Sequence, residues 1–544
     1  MSVKPLTLAL WIALLAGCGS SGGGEQQTPV TPAPPASDAL DQSTVAVTTP
    51  ESGLAEGWAE GGVFIEIYVR GYQDSDGDGI GDLNGLTSRL DYLADLGVEG
   101  IWLMPITASQ DHDHGYAVTD YRSIEADYGT NADFEAFLAA AHERGIGVIM
   151  DYVVNHSARQ NPLFIDAAAN LADKRDWYIW SANNPGWTNW DGNPSWHANN
   201  GEYFYGVFWN QMPDFNLLNP DVIDYHHNGM RYWLNKGVDG FRFDAVGQLV
   251  ENGADAYESQ PENQEILFAI QQLVTQDYDN RYMVCEEPAD PVTAASNSSC
   301  GSAFAFGFND YVRASVKSGR VSSQLRQVLT SYPLQRMGVM LGNHDAFAGV
   351  RLMDDFNGDL NQYRLAAATQ MTMPGQPFIY YGEEIGMNHS NGNSGDWALR
   401  APMSWSSSNS DGFSTATPFR AYAANRNSHN VAAQQADSGS LLNYYKSLIA
   451  ARKANPALRH GDLNLLRSDT VLAFSRSYQG EQMVVVLNYA NSSQTSDLSL
   501  SSGAGTLQPL TGFGSSNVAV TADGSCSLTL AGAEVQIYRF VAAG

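Results

Sequence analysis

Eight short apolar runs, separated by helical patterns, constrain this chain more than any other feature. The runs are Val63–Val69, Val98–Met104, Ile146–Val154, Val238–Phe243, Tyr282–Cys285, Ala303–Phe308, Met337–Leu341 and Pro377–Tyr381. Between most of them lie amphipathic helical patterns, at Leu83–Leu96, Asp133–Arg144, Val222–Leu234, Gln264–Thr275 and Leu360–Met371. Strands that alternate with helices form parallel sheets, so the pattern predicts an α/β fold, the (β/α)8 TIM barrel. A doubly wound open sheet is the alternative.

The length of 544 residues predicts more than one domain. The segment between His156 and Pro220 is too long for a crossover, so we predict an inserted subdomain after the third strand, at 157–207. After a helix at Leu441–Ala454 the pattern changes to short alternating strands, which predicts a C-terminal antiparallel β-sandwich domain at 459–544. The barrel then comprises residues 54–156 and 208–458.

The N-terminus is typical of a targeting segment. Lys4 precedes an apolar run from Leu6 to Ala16, and Leu15-Ala-Gly-Cys18 resembles the bacterial lipobox, whose cysteine becomes the lipidated first residue. We therefore predict a lipoprotein signal peptide at 1–17, lipidation of Cys18 and a flexible tether at 18–53. An ordinary cleaved signal peptide is the alternative. Gly19 favours an outer-membrane or cell-surface protein exported through the Sec pathway.

The formal charge of -30, from 29 Lys+Arg against 59 Asp+Glu, disfavours nucleic acid and anionic lipid as partners. A neutral ligand or a cation is favoured, and 12 Trp and 26 Tyr suit stacking on sugar rings. We expect a monomer that touches the membrane only through its anchor. Of the remaining cysteines, Cys285 and Cys300 could pair and leave Cys526 free, but the sequence does not determine the pairing.

The stretch Lys236–Ala245 reads as a buried strand that ends in charged residues. Arg242 and Asp244 are two apart and face the same side of a strand, so the guanidinium would keep the carboxylate ionised and able to act as a nucleophile. A structural ion pair is the alternative. Other predicted strand ends also carry reactive groups, which a barrel would bring to one mouth: Asp113-His-Gly-Tyr116, Asp151–His156, Glu286 and Asn343-His-Asp345.

These motifs, in this order and with Met212-Pro-Asp-Phe-Asn216, resemble the α-amylase family, family 13 of the glycoside hydrolases, from Val63 to the C-terminus. The resemblance implies the same barrel, insertion and C-terminal β domain, and it is strongest to the intermediate and oligo-1,6-glucosidase-like members. It implies that Asp244 is the nucleophile, Glu286 the general acid/base and Asp345 the transition-state stabiliser. It also implies that His156 and His344 bind sugar hydroxyls and that Tyr116 is the platform beneath the sugar.

A retaining glycosidase needs an ionised nucleophile and a protonated acid, about 5 to 5.5 Å apart. We expect Arg242 to lower the pKa of Asp244, and a poorly solvated site to raise the pKa of Glu286. Glu287 follows Glu286 and would face the opposite way, and the family alignment selects Glu286. Asp151 is interpreted as a structural carboxylate.

A calcium site is predicted at Asp74-Ser-Asp-Gly-Asp-Gly-Ile-Gly-Asp82. The ligands would be the carboxylates of Asp74, Asp76, Asp78 and Asp82 with the Ile80 carbonyl, as in the start of an EF-hand loop. The twelfth position is Gly85, so this is not a full EF-hand, and a metal-free turn is the alternative. Asn155 resembles a ligand of a second calcium in many α-amylases, but Ala245–Gln248 lacks the Lys-His pair of those enzymes.

The missing Lys weakens an endo-amylase assignment, whereas Asp113, Tyr116 and Arg400 resemble residues that close the pocket of exo-acting α-glucosidases. We expect retaining hydrolysis of α-1,4-glucosidic bonds in starch and maltooligosaccharides. The alternatives are an exo-acting α-glucosidase or oligo-1,6-glucosidase, a transglycosylase or trehalose-forming isomerase, and an inactive glycan-binding lipoprotein.

Overall fold

Eight parallel strands close into a barrel in the computed structural model, which describes residues 35–51, 53–408 and 412–543. Each strand pairs with its neighbours in the sequence, and Phe64 of the first pairs with Phe378 of the eighth, which closes the ring. The predicted TIM barrel is confirmed, and the open sheet is excluded. The barrel strands are Phe64–Ile67, Gly100–Leu103, Gly147–Val153, Gly240–Asp244, Tyr282–Cys285, Ala303–Phe304, Met337–Met340 and Gln376–Tyr380.

Helices surround this ring, and several of them begin at side-chain caps. Thr130 and Asp133 form a capping box, and Asn219 caps the helix that begins with Pro220. The predicted helix Leu83–Leu96 is divided at Arg89. The α-helices are Leu83–Ser88, Leu90–Leu96, Asn131–His142, Pro162–Ala169, Pro220–Asn235, Pro261–Gln276, Pro291–Ala294, Phe308–Ser318, Ser323–Ser331, Leu352–Asp355, Leu360–Thr372, Asp396–Leu399, Val431–Gln435, Leu441–Ala454 and Pro456–His460. Short 3-10 helices are Ala36–Ala39, Val69–Gly71, Ala126–Tyr128, Arg175–Trp177, Val246–Gln248, Leu334–Arg336 and Ala346–Ala348.

Two small antiparallel sheets lie above the barrel mouth. A hairpin of Thr107–Ser109 and Val118–Ile124 follows the second barrel strand. Between the third barrel strand and the helix Pro220–Asn235, a three-stranded sheet is formed by Trp180–Ser181, Trp196–Asn199 and Glu202–Tyr205. An isolated bridge between His156 and Asp214 joins the two ends of this insertion.

The C-terminal domain is antiparallel, as predicted. Its sheets consist of six strands, Asp462–Ser468, Val471–Tyr478, Glu481–Asn488, Gly505–Pro509, Val518–Val520 and Val535–Ala542, and of two, Gln494–Ser499 and Ser525–Leu530. Alternation places Leu472 and Val485 in the core shared with the barrel, and Val471 and Val484 in a core of the domain's own.

The described part of the N-terminal segment contacts both the insertion and the barrel helices. The backbone N–H groups of Ala36 and Ser37 donate to Asp166, and those of Val45 and Thr48 donate to Asn228 and Asn235. These contacts fall in the stretch that we predicted as a tether from residue 18 to 53. The predicted signal peptide and Cys18 lie outside the described residues. Among the described residues, none of the helices combines the length and apolarity needed to cross a membrane.

A disulfide joins Cys285, at the end of the fifth barrel strand, to Cys300, just before the sixth. Cys526 is buried and free in the C-terminal domain. The structure therefore decides a pairing that the sequence left open.

Candidate active site

The reactive residues meet at the C-terminal ends of the barrel strands. Cys285 pairs with Phe243, so Glu286 emerges beside Asp244 on the neighbouring strand. Both residues, together with Asp345, line one cavity of about 590 Å³. A larger cavity of about 720 Å³ lies at the opposite ends of the strands and contains none of these carboxylates.

Arg242 connects the two predicted reacting carboxylates. Its guanidinium is buried, and Nη1 lies 2.7 Å from Oδ1 of Asp244 while Nη2 lies 2.7 Å from Oε2 of Glu286. Nη1 also lies 2.7 Å from Oδ1 of Asp151. Asp151 in turn accepts hydrogen bonds from Tyr116 Oη at 2.9 Å and from Trp102 Nε1 at 3.3 Å. One planar cation thus holds three carboxylates in a fixed arrangement.

Burial dominates the protonation of the two adjacent carboxyl groups. It raises the pKa of Asp244 to about 6, although Arg242 opposes this shift. Arg242 lowers this pKa, as expected, but desolvation outweighs the neighbouring charge and the net shift is upward. Burial also raises the pKa of Glu286, to about 7, against Arg242 and with a contribution from Asp244. Burial thus raises the pKa of both carboxyl groups towards neutrality.

Asp345 behaves in the opposite way. Burial alone would raise its pKa, but His344 and Arg400 lower it below the usual range of an aspartate. Nε2 of His344 lies 3.1 Å from Oδ2 of Asp345, and Nη2 of Arg400 lies 3.1 Å from Oδ1. Asp345 is consequently ionised whenever Asp244 is.

His344 supports Asp345 rather than lining the cavity. It is fully buried, its Nδ1 lies 2.6 Å from Oε1 of Glu66, and its Nε2 also lies 2.7 Å from Tyr116 Oη. Burial opposes a charge on the ring, but Asp345 and Glu66 raise its pKa to about 10, so it is an imidazolium at neutral pH. Sequence reasoning missed Glu66. The sequence feature that could have revealed Glu66 is the presence of one acidic residue in the otherwise apolar first barrel strand.

The other predicted substrate-binding residues divide into two groups. Tyr116, His156 and Arg400 line the cavity. Burial lowers the pKa of His156 to about 3, so its ring is neutral, and its Nε2 has no protein partner among the described residues. Asp113 does not line this cavity, because its carboxylate oxygens bind Nη2 of Arg420 at 2.9 and 3.1 Å.

Glu287 points away from the cavity, as expected. It accepts hydrogen bonds from Oγ of Ser259 at 3.0 Å and from the backbone N–H groups of Ala289 and Asp290 at 3.2 Å. The choice of Glu286 over Glu287 therefore agrees with the direction of the two side chains.

Aromatic side chains that sequence reasoning missed form part of the cavity wall. Trp190 and Phe208 come from the insertion, and Phe347 follows Asp345. Trp190 is 51% exposed and Phe347 59%. The abundance of tryptophan in the insertion was visible in the sequence, but a loop without periodicity does not reveal which ring faces the cavity.

The predicted calcium loop brings three of its five ligands together. Carboxylate oxygens of Asp74, Asp76 and Asp78 lie within 4.8 Å of one another. Asp82 instead caps the helix Leu83–Ser88, since its oxygens accept hydrogen bonds at 2.7 Å from the N–H groups of Ser75 and Gly85.

A second group of oxygen atoms surrounds the base of the insertion. Oδ1 of Asn155 and Oδ2 of Asp214 are buried without a protein partner among the described residues. Burial, followed by the charge of Asp214, raises the pKa of Glu251 to about 9. Buried oxygens without donors are unfavourable unless a proton, a water molecule or a cation compensates them.

Comparison with known proteins agrees with this geometry. The family model described as alpha amylase, catalytic domain, matches residues 66–461, and the model described as maltogenic amylase, C-terminal domain, matches residues 463–537. Alpha-amylase 3 of Dictyoglomus thermophilum is 33% identical over 452 residues, which cover 80% of this chain and 86% of that protein. The oligo-1,6-glucosidase of Parageobacillus thermoglucosidasius is 30% identical over 514 residues, covering 80% and 90%.

Among solved structures, the trehalulose synthase of Pseudomonas mesoacidophila MX-45 superposes with a TM-score of 0.78 at 26% identity, covering 89% of this chain and 99% of that one. These relatives share one architecture but carry names for different reactions. The chain belongs to the α-amylase family, family 13 of the glycoside hydrolases, and is an enzyme of that family.

Proposed function

We propose that the protein is a retaining hydrolase of α-1,4-glucosidic bonds in starch-derived glucans and maltooligosaccharides. The observation that carries the proposal is the pair of carboxyl groups, Asp244 and Glu286, held by the same Arg242 guanidinium at one cavity. Double displacement requires two adjacent carboxyl groups, one ionised and one protonated. The names of the relatives support an α-glucan substrate but differ in the bond concerned.

In the first step Asp244 attacks the anomeric carbon while Glu286 donates its proton to the departing glucosidic oxygen. A bond forms between carbon and Asp244, and the bond to the leaving sugar breaks. In the second step ionised Glu286 takes a proton from water, whose oxygen attacks the same carbon and releases Asp244. Because both pKa values are raised towards neutrality, an ionised Asp244 beside a protonated Glu286 is an accessible state near neutral pH.

The other cavity residues stabilise and orient the sugar. Asp345 is ionised and held by Arg400 and His344, so it offers a fixed negative charge to an oxocarbenium-like ring and its hydroxyls. Neutral His156 offers an unpaired ring nitrogen to a hydroxyl. Tyr116 supplies an aromatic face, since its hydroxyl is engaged by His344 and Asp151.

The test uses Asp244→Asn and Glu286→Gln on maltoheptaose. Each variant is expected to lower kcat by at least about 10³-fold without changing the melting temperature by more than a few degrees. A fluorinated α-glucosyl donor should label Asp244 in the wild type, detected by peptide mass spectrometry, and the initial product should have the α configuration. Glu287→Gln is the matched control, because this neighbour faces away from the cavity. Inverted product, or full activity of either variant, would contradict the mechanism.

Exo-action and sugar transfer use the same two carboxyl groups. Arg400 at the cavity, and the relatives named oligo-1,6-glucosidase and trehalulose synthase, support keeping these alternatives. The products formed over time from maltoheptaose and from isomaltose distinguish these alternatives from the proposed activity. Short maltooligosaccharides released by cleavage at internal bonds of maltoheptaose support the proposal. Glucose alone indicates exo-action, and longer or rearranged sugars indicate transfer.

We also propose a structural Ca²⁺ at the Asp74 loop. The fit rests on three carboxylates, Asp74, Asp76 and Asp78, that converge without a basic partner in the loop itself. A bound cation would offset their mutual repulsion, and Asp82 would support the loop as a helix cap. Chelation is expected to lower the melting temperature of the wild type by more than that of the Asp76→Asn/Asp78→Asn double variant. If the melting temperature of the wild type is the same with and without chelator, calcium binding at the Asp74 loop is contradicted.

Oδ1 of Asn155 and Oδ2 of Asp214 are candidate ligands of a second cation, because both are buried without a protein partner among the described residues. Metal analysis separates the two sites. Asp214→Asn should remove one equivalent of calcium from the purified protein while the Asp74 loop keeps its own.

For its location we propose a monomer anchored to the cell envelope by a lipid on Cys18, on the strength of the lipobox-like Leu15-Ala-Gly-Cys18. Cys18→Ser should move the protein from the membrane fraction to the soluble fraction. Persistence in the membrane fraction would contradict the anchor.

A further inference from the structure

The chain from Ala36 to Pro50 crosses the outside of the molecule, and we call it the N-terminal strap. After one short 3-10 helix, Ala36–Ala39, it has no regular secondary structure. Such a chain has no hydrogen-bond ladder of its own, so it keeps one course only where other elements bind its backbone groups. The structure provides these partners on the insertion and on the barrel.

The first strap residues are held by the insertion. Both carboxylate oxygens of Asp166, in the helix Pro162–Ala169, accept hydrogen bonds at 2.8 Å, one from the backbone N–H of Ala36 and one from that of Ser37. Asp166 is 1% exposed, and among the described residues its donors all belong to the strap. Burial alone would raise its pKa, but the hydrogen bonds from Ser37 and Ala36 lower it. The one charged side chain of this helix is thus committed to the strap.

The middle of the strap is held by the hairpin after the second barrel strand and by a barrel helix. Nη2 of Arg122, in the hairpin, donates to the carbonyl oxygen of Ser43 at 2.8 Å. The side-chain amide of Asn235, in the helix Pro220–Asn235, binds two strap groups. Its Oδ1 accepts from the N–H of Thr48 at 3.0 Å, and its Nδ2 donates to the carbonyl oxygen of Ala46 at 2.8 Å. The irregular backbone is therefore satisfied by side chains of the folded molecule.

The two ends of the strap lie at opposite ends of the barrel. Ser37 is bound by the insertion, on the side of the mouth. At the other end, Nη2 of Arg281 donates to the carbonyl oxygen of Pro50 at 3.0 Å. Arg281 directly precedes the strand Tyr282–Cys285, and the beginnings of the barrel strands lie opposite to the mouth. The strap thus fastens the insertion to the far end of the barrel.

The helix that binds the strap also supports the wall of the catalytic cavity. Its Phe164 packs edge-to-face on Tyr178, with ring centroids 5.0 Å apart, and Tyr178 stacks on Phe215 at 4.8 Å. The hydroxyl of Tyr178 lies 2.7 Å from Oγ of Ser157. Ser157 follows His156, which lines the cavity. Close-packed side chains transmit displacements, so a shift of this helix would move a residue that faces the sugar.

We propose that the N-terminal strap is a positioning segment for the reaction, and that it holds the insertion against the barrel through Asp166. No strap residue lines the catalytic cavity, so the strap acts through the insertion. The effect on substrate binding rests on the proposed hydrolysis of maltooligosaccharides, whereas the binding of the strap to the insertion does not. The proposal also shortens the predicted tether to the residues before Ala36.

The first test is hydrogen exchange on the full-length wild type, Asp166→Ala and Asp176→Ala. Asp176 is the matched control, because it is an exposed aspartate of the same insertion. Alanine is a better helix former than aspartate, so Asp166→Ala does not weaken the helix Pro162–Ala169 itself. It removes hydrogen bonds to a charged group, each of which shifts the equilibrium between bound and released strap by about 10- to 100-fold. We expect the strap amides to exchange slowly in the wild type and in Asp176→Ala.

In Asp166→Ala we expect faster exchange both at Ala36–Ala39 and in the insertion. The second test is the kinetics on maltoheptaose, measured well below the melting temperature of each variant. For Asp166→Ala we expect KM to rise about three- to tenfold while kcat stays within about twofold, because the cavity wall is less well preorganised for the sugar. Asp166→Asn keeps one carbonyl oxygen as acceptor and should fall between the wild type and Asp166→Ala. Asp176→Ala should match the wild type.

Strap amides that exchange in the wild type as fast as those of an unstructured peptide would overturn the proposal. An Asp166→Ala variant that melts earlier but keeps the KM of the wild type would also overturn it, because the strap would then stabilise the fold without positioning the cavity wall. A wild type that does not cleave maltoheptaose would overturn the proposed function instead. The exchange rates would still decide whether the strap holds the insertion, so the two failures are distinguishable.

Discussion

At the scale of single residues, the acidity of the two reacting carboxyl groups sets the working range of pH. Asp244 must be ionised and Glu286 protonated at the same time, and their pKa values are raised to about 6 and about 7. We expect kcat/KM to fall below about pH 6, where Asp244 gains a proton, and above about pH 7, where Glu286 loses one. The pH profile of the wild type on maltoheptaose measures both limbs.

Replacement of Glu286 should remove the alkaline limb of this profile and leave the acidic limb. Glu286→Gln cannot ionise, so the alkaline limb should disappear when an aryl α-glucoside, whose leaving group needs no proton, is the substrate. The acidic limb should remain, because Asp244 still has to lose its proton. An alkaline limb that persists in Glu286→Gln would assign that limb to another group.

Arg242 gives a second prediction at this scale. Arg242→Lys keeps the charge but loses the planar fork that holds Asp151, Asp244 and Glu286 together. We expect kcat/KM to fall by at least about 100-fold, because the two reacting groups lose their common support. We also expect the acidic limb to move to higher pH, because a lysine at a greater distance opposes the protonation of Asp244 less. Arg144→Lys, at an exposed ion pair with Asp91, is the control and should leave both quantities unchanged.

The sequence names the catalytic candidates but does not display the environment of their side chains. Asp244, Glu286 and Asp345 were named from motifs and line one cavity. The lowering of the Asp244 pKa by Arg242 was predicted, but a sequence does not display the degree of burial that outweighs this charge and raises the pKa. Asp113 pairs with Arg420, and His344 pairs with Glu66. Each partner lies hundreds of positions away in the sequence, so no local pattern reveals the contact.

At the scale of elements, the loop after the fifth barrel strand carries Glu286 and is closed by the Cys285–Cys300 disulfide across 15 residues. A loop of this length predicts a stabilisation of about 3 kcal/mol through the unfolded state. The double variant Cys285→Ala/Cys300→Ala should lower the free energy of unfolding in urea by that amount. Cys526→Ala, at the buried free cysteine, should cost less than about 1 kcal/mol.

A reductant supplies the complementary measurement. It should destabilise the wild type and Cys526→Ala equally and leave the double variant unchanged. A wild type that is insensitive to reductant under unfolding conditions would contradict a stabilising role for the disulfide.

Sequence periodicity predicted the elements that are buried and failed where polar residues dominate. The helix Leu441–Ala454 and the strand Tyr282–Cys285 were predicted with the bounds that the structure has. The strand Gln494–Ser499 was not predicted, because most of its residues are Ser, Thr, Asp and Gln. Its pairing with Ser525–Leu530 is decided by the core beneath it, where Leu498 and Leu528 meet.

At the scale of the whole molecule, the barrel and the C-terminal domain share one hydrophobic core. Leu472, Phe474 and Met483 of the C-terminal sheet belong to the same buried cluster as the barrel helices. Tyr489 Oη also lies 2.8 Å from Oγ1 of Thr369 in the helix Leu360–Thr372. Two units joined by a buried apolar contact are expected to unfold together.

Arg476 offers a test of this coupling. Its buried guanidinium reaches from the C-terminal sheet to the barrel, where Nη1 donates to the Thr372 carbonyl oxygen at 2.6 Å, and Nε donates to that of Gly461 at 2.8 Å. Arg476→Ala leaves both carbonyl groups without these donors and opens a cavity, so we expect a loss of about 3 kcal/mol in the free energy of unfolding. Arg467→Ala, at a more exposed ion pair with Asp469, is the control and should cost less than about 1 kcal/mol. Calorimetry should show one transition in the wild type, moved as a whole by Arg476→Ala, whereas two transitions of which only one moves would show that the barrel and the C-terminal domain unfold independently.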